Sequence, residues 1–239
     1  MKSFFKLIRN FFIILIVLIL IVCAFVIFKG HRMYSSALEK QDLKSKIELI
    51  ESNTKYYVSY DNIPQDYINA VVAVEDHRFF EHRGIDFIAL ARAIAVNVTN
   101  LSISQGGSTI TQQLSKNLYF TQEQELTRKV AEVFMSSYLE DNLSKEKIFE
   151  LYVNTAYFGE GYTGLGQAAH GYFNKEPKDL TMYECILLAG VPNAPSKYAP
   201  TINMDLCIQR QNQVINAMLK HNYIDENTAN KIRSEQPSI

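Results

Sequence analysis

Two adjacent acids, Glu75 and Asp76, end an apolar stretch and open the segment EDHRFFEHRG, where aromatics, His82 and Gly84 follow. A carboxyl group at the end of an apolar helix is partly withdrawn from water. Burial raises its pKa, and such a group can take a proton from a sugar hydroxyl as a general base near neutral pH. The same two acids can equally be ordinary helix-end carboxylates held by Arg78, His82 or Arg83. A second segment, GGSTITQQLSKNLY from Gly106 to Tyr119, passes from glycines through Ser108 and Thr109 into a helix bearing Gln112, Gln113 and Lys116. Gln112 and Lys116 share a face, and free N–H groups at a helix start suit an anionic or sugar-rich ligand. Ile110, Leu114 and Leu118 make the apolar stripe that such a helix needs in any case. In a third segment, TRKVAE, Arg128 stands four residues before Glu132. Alone this is an i,i+4 surface pair; beside Lys116 and Lys129 it can neutralise a departing diphosphate.

Other chemistries lack their motifs. There is no HExxH, CxxC or Walker loop, and no S-D-N or K-T-G to mark a penicillin-sensitive transpeptidase. A formal net charge of -1 over 239 residues leaves no excess of cations for nucleic acid. With three cysteines there is no disulfide framework, and Cys185, inside ECILLAGV, reads as a core residue.

Helices must position these groups. Ile63-Pro64 opens PQDYINAVVAVED, Asp86 can cap FIALARAIAV, and Thr121 with Gln124 and Thr181 with Glu184 make candidate capping boxes. Strand-like alternation is confined to residues 55–60. Residues 97–105 lack caps and a clear period and read as a mobile loop. The expectation is one mainly α domain over residues 56–239, preceded by a polar stalk at 29–55.

Residues 11–28, FFIILIVLILIVCAFVIF, form an unbroken apolar run after a tail at residues 1–10. At ~1.5 Å per residue it spans ~27 Å, close to the ~30 Å of bilayer hydrocarbon. It exceeds the apolar part of a cleaved leader, and no small-x-small site follows, so an uncleaved single-pass anchor is expected. Lys2, Lys6, Arg9 and the amino terminus precede the run, and Lys29 and Arg32 follow it; this slight bias favours an extracytoplasmic carboxyl-terminal domain.

Taken in order, these segments resemble the peptidoglycan glycosyltransferase family, found as monofunctional transglycosylases and in class A penicillin-binding proteins. The resemblance rests on E-D-x-x-F-x-x-H-x-G from Glu75, G-x-S-T-I-T-Q-Q-L-x-K-N-L from Gly106, and R-K-x-x-E from Arg128. YVNTAYFGEGYTGLGQAAHGYF from Tyr152 and ECILLAGVPNAPSKYAP from Glu184 complete it. It implies a lysozyme-like, two-lobed helical domain with a cleft opening toward the membrane and a mobile region around residues 97–107. The substrates it implies are lipid II and a lipid-linked glycan chain, with the bilayer and other cell-wall synthesis proteins as partners. Glu75 would deprotonate the acceptor 4-hydroxyl, and Glu132 would organise the diphosphate directly or through a divalent cation, Mg or Mn. Lys116, Arg128 and Lys129 would supply positive charge. Asp76, Phe79, His82, Ser108, Thr109, Gln112, Gln113 and Asn117 would contact substrate.

Two positions depart from the family pattern: Gln124 stands where many relatives carry Arg, and Ala131 where they carry Lys. Each removes a cation from the diphosphate side. A lysozyme-like hydrolase, transferring the sugar to water, and a non-catalytic cell-wall scaffold are the competing readings.

Overall fold

In the computed structural model, which describes residues 2–100, 107–120 and 125–235, the chain begins with one unbroken helix, α1 (Lys2–Lys40). It is long and apolar enough to cross a membrane. Phe11, Leu18 and Phe28 on its apolar part are 63%, 54% and 62% exposed. In water such apolar surface costs roughly 25 cal/mol per Å², so a bilayer is the environment this rod suits.

Past the apolar run, α1 continues as helix and packs against α6 (Glu125–Asn142). Gly30 makes the approach possible, because a Cβ there would lie 2.5 Å from Val130 Cγ1. Above it the His31 ring meets Phe134 edge-on at 5.1 Å, and Tyr34 lies 6.0 Å from Phe134 and 6.2 Å from Tyr138. Asp42 then caps α2 (Leu43–Asn53) through Ser45 N at 3.1 Å, and Leu43, Ile47 and Ile50 join the core. The residues read as a stalk are therefore helical, and much of their apolar surface is packed.

Nine further α-helices complete those of the described residues: α3 (Gln65–Glu75), α4 (Phe87–Asn100), α5 (Ile110–Tyr119), α7 (Lys145–Thr155), α8 (Leu165–Phe173), α9 (Met182–Gly190), α10 (Pro195–Tyr198), α11 (Met204–Lys220) and α12 (Glu226–Ser234). Helix α3 packs on α9 and α11, and α5 packs on α6 and α7. These two groups share one core, in which Tyr67, Leu114, Met135, Phe149 and Ile186 are fully buried. The mainly α expectation holds, since the described residues contain no β-strand, only isolated bridges at Arg83–Ile85 and Tyr157–Thr163.

Several local expectations hold for the reasons given. Ile110, Leu114 and Leu118 are buried, Asp86 caps α4 through the N–H groups of Ile88 and Ala89, and Thr181 and Glu184 form a reciprocal capping box. Cys185 and Cys207 are buried and unpaired. Residues 55–60 are a correction. They form no strand, because the amide of Asn154 on α7 takes the role of a neighbouring strand: it accepts from Val58 N at 2.9 Å and donates to Val58 O at 2.7 Å. Glu150 accepts from Tyr57 Oη and Tyr60 N on either side. Residues 97–100, read as the start of a loop, close α4. The rest of that loop to Gly106, and the box at Thr121 and Gln124, lie outside the described residues.

Because Gly30 is filled by Val130, Gly30→Ala is expected to destabilise the α1–α6 contact by about 1–3 kcal/mol. For a domain of this size each kcal/mol lowers Tm by about 2–4 °C. Adding Val130→Ala should restore most of the loss in a thermal melt; a double variant as unstable as Gly30→Ala alone would refute this packing.

Candidate active site

A groove of about 680 Å³ runs between the two helix groups. One wall is the end of α3 with Val74 and Glu75, then Pro192 and Asn193, and Arg210 and Gln213 on α11. The other is Ser108, then Gln112, Gln113 and Lys116 on α5, and Lys129 and Glu132 on α6. The segments that carry the candidate chemistry thus meet across one cavity, with Glu75 and Glu132 both on its lining.

Glu75 is the last residue of α3, and its side chain is 13% exposed. One carboxylate oxygen accepts from Gln113 Nε2 at 2.8 Å and the other from Arg210 Nη2 at 3.2 Å. Arg210 is itself held, donating through Nε to Gly190 O at 3.3 Å and through Nη1 to Gln213 Oε1 at 2.9 Å. Tyr152 donates to Gln113 Oε1 at 3.4 Å. Burial pushes the Tyr152 hydroxyl well above its ordinary pKa, reinforced by the nearby charge of Glu75, so it remains a protonated donor. These contacts fix the rotamer of an acid that still faces open space.

Glu132 is in the opposite situation. Its side chain is 1% exposed, with Arg128 Nε at 3.0 Å from one oxygen and Lys129 Nζ at 2.6 Å from the other. Lys129 also reaches Ser108 Oγ at 3.2 Å, and half of its side chain remains exposed to the groove. A carboxylate buried between two cations orients them, and Lys129 together with Lys116 presents the positive charge. A divalent cation at the diphosphate would find few free protein oxygens here and would depend on the substrate for its ligands. Hard cations take several oxygens, whereas both oxygens of Glu132 are engaged by cationic side chains and those of Glu75 by Arg210 and Gln113. Asp76, His82 and Asp86 bring potential ligand atoms within 4.8 Å of one another. Yet Asp76 and His82 are bonded to each other, and Asp86 to Arg78 and the start of α4.

The start of α5 is a second correction. Two of its N–H groups are already taken: Ile110 N donates to Asp76 Oδ2 at 3.1 Å, and Gln112 N to Thr109 Oγ1 within a capping box.

Several residues expected to touch substrate lie off the groove. Asp76 and His82 are buried and bonded at 2.9 Å, and Phe79 is fully buried. Thr109 donates to Gly84 O at 2.6 Å, and Asn117 is exposed and reaches the Thr155 carbonyl. Arg128 sits behind Glu132 at 12% exposure. Ala131 is fully buried and does not line the groove, so the position where relatives carry Lys faces packing, not the diphosphate side. Gln124 lies outside the described residues.

Sequence reasoning missed Arg210, Gln213 and Asn193. Arg210 meets Glu75 across 135 positions, and nothing in LCIQRQNQV marks it. It also missed a smaller cavity of about 230 Å³ on the other side of Glu75, which His77, Arg92, Lys220 and His221 line. The His77 and His221 rings stack there at 4.2 Å. Burial holds both below the usual 6.5, helped by Arg92 at His77 and by His77, Lys220 and Arg92 at His221.

Comparison with known proteins covers most of the chain. Residues 41–219 match the family model described as transglycosylase, a match that begins within the segment read as stalk. The chain is 44% identical over 189 residues to penicillin-binding protein 1A of Aquifex aeolicus, covering 79% of this chain and 26% of that protein. It is 41% identical over 178 residues to penicillin-binding protein 1A of Escherichia coli, covering 74% and 21%. With penicillin-binding protein 1F of Bacillus subtilis the identity is 37% over 214 residues, covering 85% and 30%. The chain spans about a quarter of the length of these curated relatives. A crystal structure of penicillin-binding protein 1A from Haemophilus influenzae aligns with TM-score 0.47 at 22% identity, covering 76% of this chain and 17% of that one.

The adjacent acids should separate cleanly by experiment. Asp76→Ala leaves His82 and the Ile110 N–H without their buried acceptor and is expected to cost about 3 kcal/mol or more, read as a large fall in Tm. Glu75→Gln keeps an acceptor for Gln113 or Arg210 and should shift Tm far less; equal losses would contradict these roles. The histidine pair sets a pH dependence. A folded-state pKa below the unfolded value gives stability that is present above about pH 6.5 and lost as pH falls. His221→Phe should flatten the decline in Tm between pH 7.5 and 5, and an unchanged slope would refute that.

Proposed function

The chain belongs to the transglycosylase family, and from that premise we propose that it polymerises glycan strands from lipid II by inverting transfer, releasing polyprenyl diphosphate. The observation that carries this reading is the meeting of an accessible, oriented carboxylate with a cation-lined wall across one groove. Glu75 takes the proton of the acceptor 4-hydroxyl. The hydroxyl oxygen bonds to the anomeric carbon of the lipid-linked donor, and the bond from that carbon to the diphosphate oxygen breaks, its electron pair leaving with the diphosphate. A single displacement inverts the anomeric centre. Lys116 and Lys129 stand where the leaving group gathers negative charge, with Arg128 and Glu132 fixing Lys129 from behind. Arg210 acts through Glu75 as a positioning residue.

The hydrolase alternative is less well supported by this geometry. A retaining hydrolase needs a second carboxylate free to attack the anomeric carbon, whereas Glu132 is buried and held by two cations. An anionic leaving group would use Lys116 and the exposed half of Lys129, for which a neutral leaving sugar has no need.

The apolar rod fits membrane anchoring, and we place the domain on the extracytoplasmic side, where lipid II is consumed. A tethered enzyme and a bilayer-confined substrate meet at raised effective concentration, which favours polymerisation by the anchored form. Contacts with other cell-wall synthesis proteins belong to the same proposal.

Incubation of the purified full-length protein with lipid II should give polymer and released polyprenyl diphosphate. Glu75→Gln should lower the rate by about 10²–10⁴-fold while leaving the fold intact. Cleavage of finished glycan without polymer would sink the transfer reading, and a fully active Glu75→Gln would remove the general base.

A further inference from the structure

We propose that α1 and the end of α5 form a binding site for the headgroup of an anionic phospholipid, in the leaflet that adjoins the catalytic domain. A groove of about 540 Å³ lies beside α1 just past the apolar run, separate from the catalytic groove. Its α1 wall is Lys29, Arg32, Met33, Ser36, Ala37 and Lys40. These positions recur at spacings of three, one, three, one and three, which places all of them on one helix face. Across the groove stand Tyr119 and Phe120 at the end of α5 and Thr127 on α6. The floor is thus apolar and aromatic, while the rim carries three cations and hydroxyls.

Among the described residues no Asp or Glu lines this groove, and none of the three cations makes an ion pair with a carboxylate. Lys29 instead sits over the Phe25 ring at 5.0 Å. The catalytic groove differs, because there Glu75 and Glu132 accompany the cations. Three cations above apolar walls suit a ligand with an anionic head and an apolar body.

The position of the groove selects the membrane as the source. Arg32 lies four residues past Phe28, ~6 Å along the helix at ~1.5 Å per residue, and the headgroup layer occupies ~5–8 Å on each side of the hydrocarbon. Ser36 stands ~12 Å past Phe28 and Lys40 ~18 Å; side chains on a helix lean toward its N-terminus, here back toward the bilayer, so Ser36 approaches the headgroup layer while Lys40 adds positive charge from above it. The packing of Gly30 on Val130, with His31 and Tyr34 against Phe134, fixes this face relative to the domain. An occupant would therefore bind both the anchor and the catalytic body. This inference rests on the membrane reading of α1 and not on the chemistry at Glu75.

Native mass spectrometry of the full-length protein, released from micelles doped with phosphatidylglycerol, phosphatidylcholine or polyprenyl diphosphate, tests it. The wild type should retain phosphatidylglycerol over phosphatidylcholine by roughly tenfold or more, and the variant Lys29→Gln/Arg32→Gln/Lys40→Gln should lose that preference with an unchanged Tm. Glu75→Gln should retain it, which separates the two readings. Equal retention of both phospholipids, a preference that survives in the triple variant, or retention of polyprenyl diphosphate alone would each overturn the proposal.

Discussion

The buried carboxylate of Asp76 is the constraint on which the rest of the site depends. It follows directly after α3, and its two oxygens accept from His82 Nε2 at 2.9 and 3.0 Å and from Ile110 N at 3.1 Å. One side chain thereby joins the end of α3, the turn that follows it and the start of α5. Thr109 reinforces the junction through Gly84 O, and Gly84 can serve there because its φ of +70° suits a residue without a Cβ. With the two helices pinned end to start, Glu75 faces Gln113 across the groove and Lys116 follows one turn later on the same wall. The buried acid makes the geometry, and its half-buried neighbour Glu75 faces the groove.

A similar division recurs on α6. Glu132 is buried and holds Arg128 and Lys129, while Lys129 extends to Ser108 and the open groove. The opposite face of the same helix receives α1 at Gly30. One helix therefore joins the membrane anchor to the charged wall of the site. The contact is close, since Val130 occupies the space that any Cβ at position 30 would need.

Local signals in the sequence carried much of this architecture. The stripe of Ile110, Leu114 and Leu118, the cap at Asp86 and the box at Thr181 and Glu184 are short-range patterns, and short-range patterns survive into the fold. What was not legible depends on partners far apart in the chain. Arg210 acquires meaning only when α11 packs beside α3. The segment at residues 55–60 reads as strand until Asn154, almost a hundred residues later, satisfies Val58. The ordered blocks marked Asp76, Phe79 and His82 together with Glu75, but only burial separates the residues that build the site from the one that faces it. Likewise two of the N–H groups opening α5 look available for an anion until Asp76 and Thr109 are seen to take them.

The central claim is that a carboxylate on one helix group and cations on the other serve one transfer, with the donor diphosphate held at the cations and its sugar directed toward the carboxylate. A crystal structure of the full-length protein with a non-reactive sugar-diphosphate lipid tests it most directly. The account predicts diphosphate oxygens within hydrogen-bonding distance of Lys116 Nζ and Lys129 Nζ, with the sugar lying along the groove toward Glu75. A diphosphate bound away from both lysines, or a sugar that leaves Glu75 facing only solvent, would contradict it.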